Sequence, residues 1–249
     1  MTPGRILFAA TLVALGLQGL VLGMLTAIWS PVPKDLPLRE PLAYLCAAIS
    51  LIGGAGLLAG RFASYAGRLL LAALLIWIIA FRVTIIVEAP IAIDSWENCA
   101  ETAVIAAAAW VVAGRPAIGR IFYGVAMIVF GIAHFAYLKE TASLVPGWLP
   151  LPTGWAALTG ATYIAAGLAV LSGMQARLAA ALSSLQMGLF TALVWLPIIT
   201  ADGPHTPFQW SETVLSWALT VAGWVVAESY AGMPRSIMAL QSVFRGKAP

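Results

Sequence analysis

The chain has 249 residues, 61% of them hydrophobic and only 9% charged, with a mean hydropathy of +0.95. A water-soluble domain keeps about a quarter of its residues charged, so this composition excludes a soluble globular fold. The net charge of +3 is spread among short loops and forms no basic patch, which argues against nucleic acid as a partner.

A helix crossing a hydrocarbon core of about 30 Å needs roughly 20 mostly apolar residues. Apolar runs bounded by Pro, Gly and charge give eight such segments, over 6–28, 41–60, 66–87, 98–114, 121–138, 155–173, 176–199 and 211–231. The alternating ten-residue segments of a β-barrel do not occur. The first run follows Arg5 as a signal peptide would, but no small-x-small cleavage site succeeds it, so it reads as a retained helix.

Charges between the runs sort by side. One side receives Arg5, Arg61, Arg68, Arg115, Arg120, Arg177, Arg235, Arg245 and Lys247 against the single acid Glu228. The other receives Asp35, Glu40, Glu88, Asp94, Glu97, Glu140 and Asp202, with Lys34, Arg39 and Lys139 as its nearby bases. Basic residues are retained on the cytoplasmic face, so both termini are expected there, in the inner (plasma) membrane.

The chain matches itself at a shift of 113 to 115 residues. Gly4, Arg5 and Ile6 align with Gly119, Arg120 and Ile121, and Gly16 with Gly131. Gly54, Leu58 and Gly60 align with Gly167, Leu171 and Gly173; Trp96 and Trp110 align with Trp210 and Trp224. The expected fold is therefore all-α, a polytopic membrane protein of eight transmembrane helices arranged as two parallel four-helix repeats. Residues 1–115 form the first repeat, 116–234 the second, and 235–249 a cytoplasmic tail.

Ionisable residues inside the membrane cost about 2.5–3.5 kcal/mol each on insertion scales, so their positions carry information. Arg82 lies 14 residues beyond Arg68, Glu101 14 before Arg115, and His134 14 beyond Arg120; Gln18 lies 13 beyond Arg5. At 1.5 Å per residue the first three reach about 21 Å from the cytoplasmic boundary, a common layer that Gln18 joins. Arg82 and Glu101 sit on consecutive antiparallel segments and can pair. The layer predicts an outward-opening cavity lined by Gln18, Arg82, Glu101 and His134, for a quinone headgroup, a small oxyanion or a lipid headgroup. The bland alternative for each is a satisfied packing residue.

Cys46 and Cys99 lie in apolar runs without Cys-x-x-Cys spacing and signal no disulfide or metal site. A single intramembrane histidine disfavours bis-histidine haem, and no phosphate loop, dinucleotide fingerprint or nucleophile elbow is present. His205, near Asp202 and Pro204, reads as solvated.

The second half carries Gly131, His134 and Phe135, then Val145, Pro146, Trp148, Leu149, Pro150 and Pro152, then Thr159, Gly160, Gly167 and Leu168. This order resembles the DoxX-like membrane family, over roughly residues 119–200. In the first half Gly19 stands for His134, and Cys46 and Ala47 for the Thr-Gly pair. The resemblance implies a four-helix unit. For function it implies a membrane subunit of a redox enzyme, as in an archaeal thiosulfate:quinone oxidoreductase, or an assembly chaperone or cargo receptor. Three readings follow: a quinone- or redox-enzyme-associated subunit, with no covalently bound cofactor and a separate enzyme as partner; a non-enzymatic scaffold or chaperone; and a carrier of a lipid or small solute. Continuous spans rank the carrier last, since transporters commonly break helices near the midplane. Whether the chain is itself an enzyme stays open.

Overall fold

A computed structural model describes residues 1–33 and 35–232. The expected tail and the bases Lys34, Arg235, Arg245 and Lys247 lie outside the described residues. Every regular element among the described residues is helical: α1 (Pro3–Leu22), α2 (Arg39–Leu58), α3 (Ala63–Glu88), α4 (Ile93–Val112), α5 (Pro116–Ala136), a short α6 (Leu138–Ser143), α7 (Pro152–Ser172), α8 (Ala176–Thr200) and α9 (Pro207–Glu228), with one 3-10 turn at Ala27–Trp29.

Six of these, α1, α2, α3, α5, α7 and α8, are long and apolar enough to cross a membrane. The other two long helices, α4 and α9, carry Asp94, Glu97 and Glu101, and Glu212 and Glu228. They are also the innermost: α4 packs on α3, α5 and α9, while α9 packs on α1, α4, α5 and α8. Ala106 to Ala109 of α4 are fully buried, as are Ala222 and Val226 of α9. Of these carboxylates Asp94 is exposed in the first turn of α4, whereas Glu97, Glu101, Glu212 and Glu228 are partly buried against protein or the cavity described below. Around this central pair stand α1, α3, α5 and α8, and α2 and α7 close the outside against α1 and α3, and α5 and α8, respectively.

Several boundaries differ from the sequence expectation. Helix α4 begins at Ile93, with Asp94 in its first turn, where a negative charge complements the helix dipole. Helix α9 begins at Pro207, four residues early, because Thr206 forms a capping box: its hydroxyl accepts from the Gln209 N–H at 3.2 Å, and the Gln209 side chain accepts from the Thr206 N–H at 2.8 Å. The fifth segment stops at Ala136, and the chain turns at Tyr137 into α6.

The spans are not continuous α-helix. Helices α3 and α8 each contain a five-residue π segment, Ile78–Arg82 and Thr191–Trp195, which corrects the expectation of unbroken ladders. These segments lie 113 positions apart, as do the left-handed residues Leu38 and Leu151 that precede α2 and α7. In the first half, α1 and α2 meet through Gly16 and Gly54: a Cβ on Gly16 would lie 2.6 Å from the Leu51 nitrogen. Helices α5 and α7 meet in the same way through Gly131 and Gly167.

The start of α1 and the end of α9 join at one end of the bundle. Glu228 accepts a hydrogen bond from the Gly4 N–H at 2.8 Å, satisfying an orphan donor of the first helical turn. Beside it, Arg120 donates from Nε to the Ser229 hydroxyl at 3.1 Å and from Nη2 to the Ser229 carbonyl, and it stacks 4.0 Å from the Tyr230 ring. Arg120 therefore covers the C-terminus of α9 as well as adding charge at that end.

Candidate functional site

At the far end of the bundle, where α5 and α8 finish and α4 and α9 begin, a cavity of about 180 Å³ opens. Helix α5 contributes Phe130 and His134, α7 contributes Tyr163, and α8 contributes Met187, Phe190 and Trp195. The inner helices supply the acids, Glu97 and Glu101 from α4 and Glu212 from α9. Three carboxylates, one imidazole and a largely aromatic wall thus share one space, with no Lys or Arg in the lining.

His134 is fixed from three sides. Its Nδ1 lies 2.8 Å from the Phe130 carbonyl, which can only accept, so Nδ1 carries a proton and Nε2 is left for another partner. Nε2 is buried and has no hydrogen-bond partner among the described residues. The ring stands edge-on to Tyr163 and Phe190, at 5.3 and 5.8 Å between centroids. Behind it lies Gly160, where a Cβ would meet the His134 Cβ at 2.9 Å, so only glycine lets α7 approach this closely.

The π segment of α8 places the aromatic wall. Phe190 immediately precedes it and Trp195 ends it, and both line the cavity. A chain of hydroxyls borders this segment: Thr191 donates to the Met187 carbonyl at 3.2 Å, and Ser216 donates to the Thr191 hydroxyl at 2.8 Å. Irregular helical turns of this kind are frequent at functional sites.

Of the four residues predicted to line the cavity, the structure brings together two, Glu101 and His134. Arg82 is elsewhere and is 1% exposed. Its guanidinium donates from Nη1 to the Pro31 carbonyl at 2.7 Å, from Nη2 to the Ser30 carbonyl at 2.6 Å and from Nε to the Thr102 hydroxyl at 2.9 Å. Its donors are thus turned to the loop after α1, and among the described residues no ion pair joins Arg82 to Glu101. Gln18 is exposed on the outer face of α1. It misses the cavity because adjacent helical residues point roughly 100° apart, and its neighbour Gly19 is the one packed inward, against Ala47.

Sequence reasoning missed Glu212, Tyr163, Phe190 and Trp195 as wall residues, and placed Glu97 at a hydrated boundary. The signal for Glu212 was present: it lies, like Glu97 and Glu101, near the start of a helix otherwise rich in Ala and Val.

The positions 113 residues earlier are filled differently. Ser50 lies 113 positions before Tyr163, Trp77 before Phe190 and Arg82 before Trp195. There Trp29, 1% exposed, donates from Nε1 to the Ser50 hydroxyl at 2.9 Å and stands edge-on to Trp77 at 5.1 Å. Its indole is thus packed between Ser50 and Trp77.

Among known families, the DoxX family model matches residues 116–196, which contain α5, α6, α7 and most of α8. No curated protein and no solved structure matches the chain. His134 and the aromatic wall fall inside the matched segment, while all three glutamates fall outside it.

Proposed function

We propose that this DoxX-like membrane protein binds the head of a lipid-soluble hydroquinone in the His134 cavity and serves a separate redox enzyme as its membrane subunit. The observation that carries this reading is the unpartnered, buried Nε2 of His134 facing a space walled by carboxylates. An imidazole acceptor beside carboxyl groups can take a hydrogen bond from a ligand hydroxyl. A hydroquinone has two hydroxyls to offer, and His134 with Glu101 or Glu212 is placed to receive them. On oxidation the quinol releases two protons, to the imidazole and a carboxylate, and two electrons, to a redox centre of the partner enzyme. A small oxyanion fits poorly, because Arg82, the one cation offered for it, is bonded to the Ser30 and Pro31 carbonyls.

This reading places the protein in the inner membrane as eight spans, two parallel four-helix repeats with both termini cytoplasmic. Supporting it are the 113-residue recurrence of π segments and left-handed caps, the meeting of α1 and α9, and the concentration of Arg at that end.

The test is quinol binding to the purified protein in lipid nanodiscs. His134→Phe keeps the edge-on aromatic packing and removes the acceptor, so affinity should fall by about tenfold, the worth of one buried hydrogen bond. Equal affinity in the two proteins refutes the reading.

The π segments also favour a second reading, a carrier that moves the same ligand, since they interrupt the helical ladder where α3 and α8 could bend. Flux of a quinol across proteoliposomes, absent from empty vesicles, would select it.

A further inference from the structure

We infer that the ligand's hydrocarbon tail lies in an apolar groove beside the His134 cavity, bordered by Leu149, Trp155, Leu189 and Leu193. This rests on the head-binding reading above and adds the class of molecule: an amphiphile with a compact donating head and a single long tail. The groove has a volume of about 320 Å³ and is continuous with the cavity through shared walls, Thr141, Leu144 and Phe190. Phe190 is the hinge between the two spaces, with its ring 5.8 Å from the His134 ring on one side and its flank on the groove. Two other apolar grooves, between α7 and the start of α8 and between α2 and α3, share no wall residue with the cavity. Continuity singles out the first.

The groove is also shaped differently from a gap between two lipid-facing helices. Its far wall is the connection between α6 and α7, with Pro146, Trp148 and Leu149, which ends in the left-handed Leu151. Proline fixes this segment's backbone, and Trp148 and Trp155 are exposed at its edge, the position that indole rings favour at a membrane interface. Thr159 and Gln186 of the floor bond to each other, Nε2 of Gln186 donating to the Thr159 carbonyl at 3.1 Å, so the groove presents few free polar atoms to a tail.

The experiment uses the full chain in nanodiscs and two probes: a dimethoxybenzoquinol bearing a decyl chain with a terminal diazirine, and the same quinol with no chain. After photolysis, adducts are mapped by mass spectrometry. The expected result is labelling at Leu149, Trp155, Leu189 or Leu193 that excess short quinol suppresses. Leu193→Trp, which fills the groove, should lower the groove adduct by about tenfold while short-quinol binding stays within about twofold. Adducts scattered over lipid-facing residues and indifferent to the short quinol, with that quinol still binding in a His134-dependent way, overturn the groove alone. Failure of the short quinol to bind in that way overturns the head-binding reading and the groove with it.

Discussion

Replacing Arg82 by Met separates a residue that builds the fold from one that meets the ligand. Arg82 sits in the π segment of α3 and holds the loop after α1 by two carbonyls, Ser30 and Pro31, at 2.6 and 2.7 Å. Methionine matches much of its length and removes all three donors. The Thr102 hydroxyl keeps its own bond, donating to the Asn98 carbonyl at 3.2 Å, so it is not stranded. The two loop carbonyls are, at a cost of about 1–3 kcal/mol each. Relief from holding a desolvated cation offsets part of that, since a buried charge replaced by an apolar group is frequently neutral. The net expectation is a loss of about 3 kcal/mol, or roughly 6–12 °C in Tm for a chain of this size. Thermal unfolding in detergent measures it, alongside quinol binding at a temperature where both proteins are folded. Binding should stay within about twofold, because Arg82 does not line the cavity. An R82M protein with unchanged Tm and abolished binding would refute the assignment and return Arg82 to the ligand.

Three further outcomes follow from the packing and the charges. Gly160→Ala places a Cβ 2.9 Å from that of His134 and 3.2 Å from the Gly131 carbonyl, neither of which is a flexible tip; thermal unfolding should report a loss of about 1–3 kcal/mol, and quinol affinity should fall with it as the imidazole is displaced. Glu228→Ala leaves the Gly4 N–H of α1 without its acceptor and should cost about 1–2 kcal/mol in the same assay, whereas Glu228→Gln retains an acceptor oxygen and should lose less. Reporter fusions at Gly114 and at the N-terminus should report the cytoplasm, and one in the α1–α2 loop the opposite side; ends on different sides would dismantle the two-repeat scheme.

Hydropathy was enough to place the six helices that are long and apolar enough to cross a membrane, because lipid leaves a helix little alternative to satisfying its own backbone. It located Glu101 and His134 for a related reason: an ionisable group in an apolar run has to face protein or water, and both do. What depth along a helix does not give is direction around it. Gln18 and Gly19 differ by one position, yet Gly19 faces Ala47 and Gln18 faces outward. Nor does depth reveal a partner that comes from a loop, which is why Arg82 was matched to Glu101 instead of to the Ser30 and Pro31 carbonyls. The π segments left no local sequence signal. Their residues, Ile78 to Arg82 and Thr191 to Trp195, are identical at no position, and the second segment is bordered by Ser216, which lies far along the chain and bonds Thr191.

The contrast between the halves comes down to a few positions on a common frame. At the end of the first π segment stands Arg82, whose donors draw the loop after α1 against the bundle and seat Trp29 between Ser50 and Trp77. At the matching place in the second half stands Trp195, which has one donor and lines the cavity instead. The chain after α5 winds into α6, whose Thr141 borders the same cavity as Tyr163 and Phe190. Removing Trp29 would not make the first half an equal site, since Gly19 stands where His134 would be needed and offers no acceptor. The difference between the two halves at this level thus lies in two pairs of residues, Arg82 against Trp195 in the π segments and Gly19 against His134 one helix away.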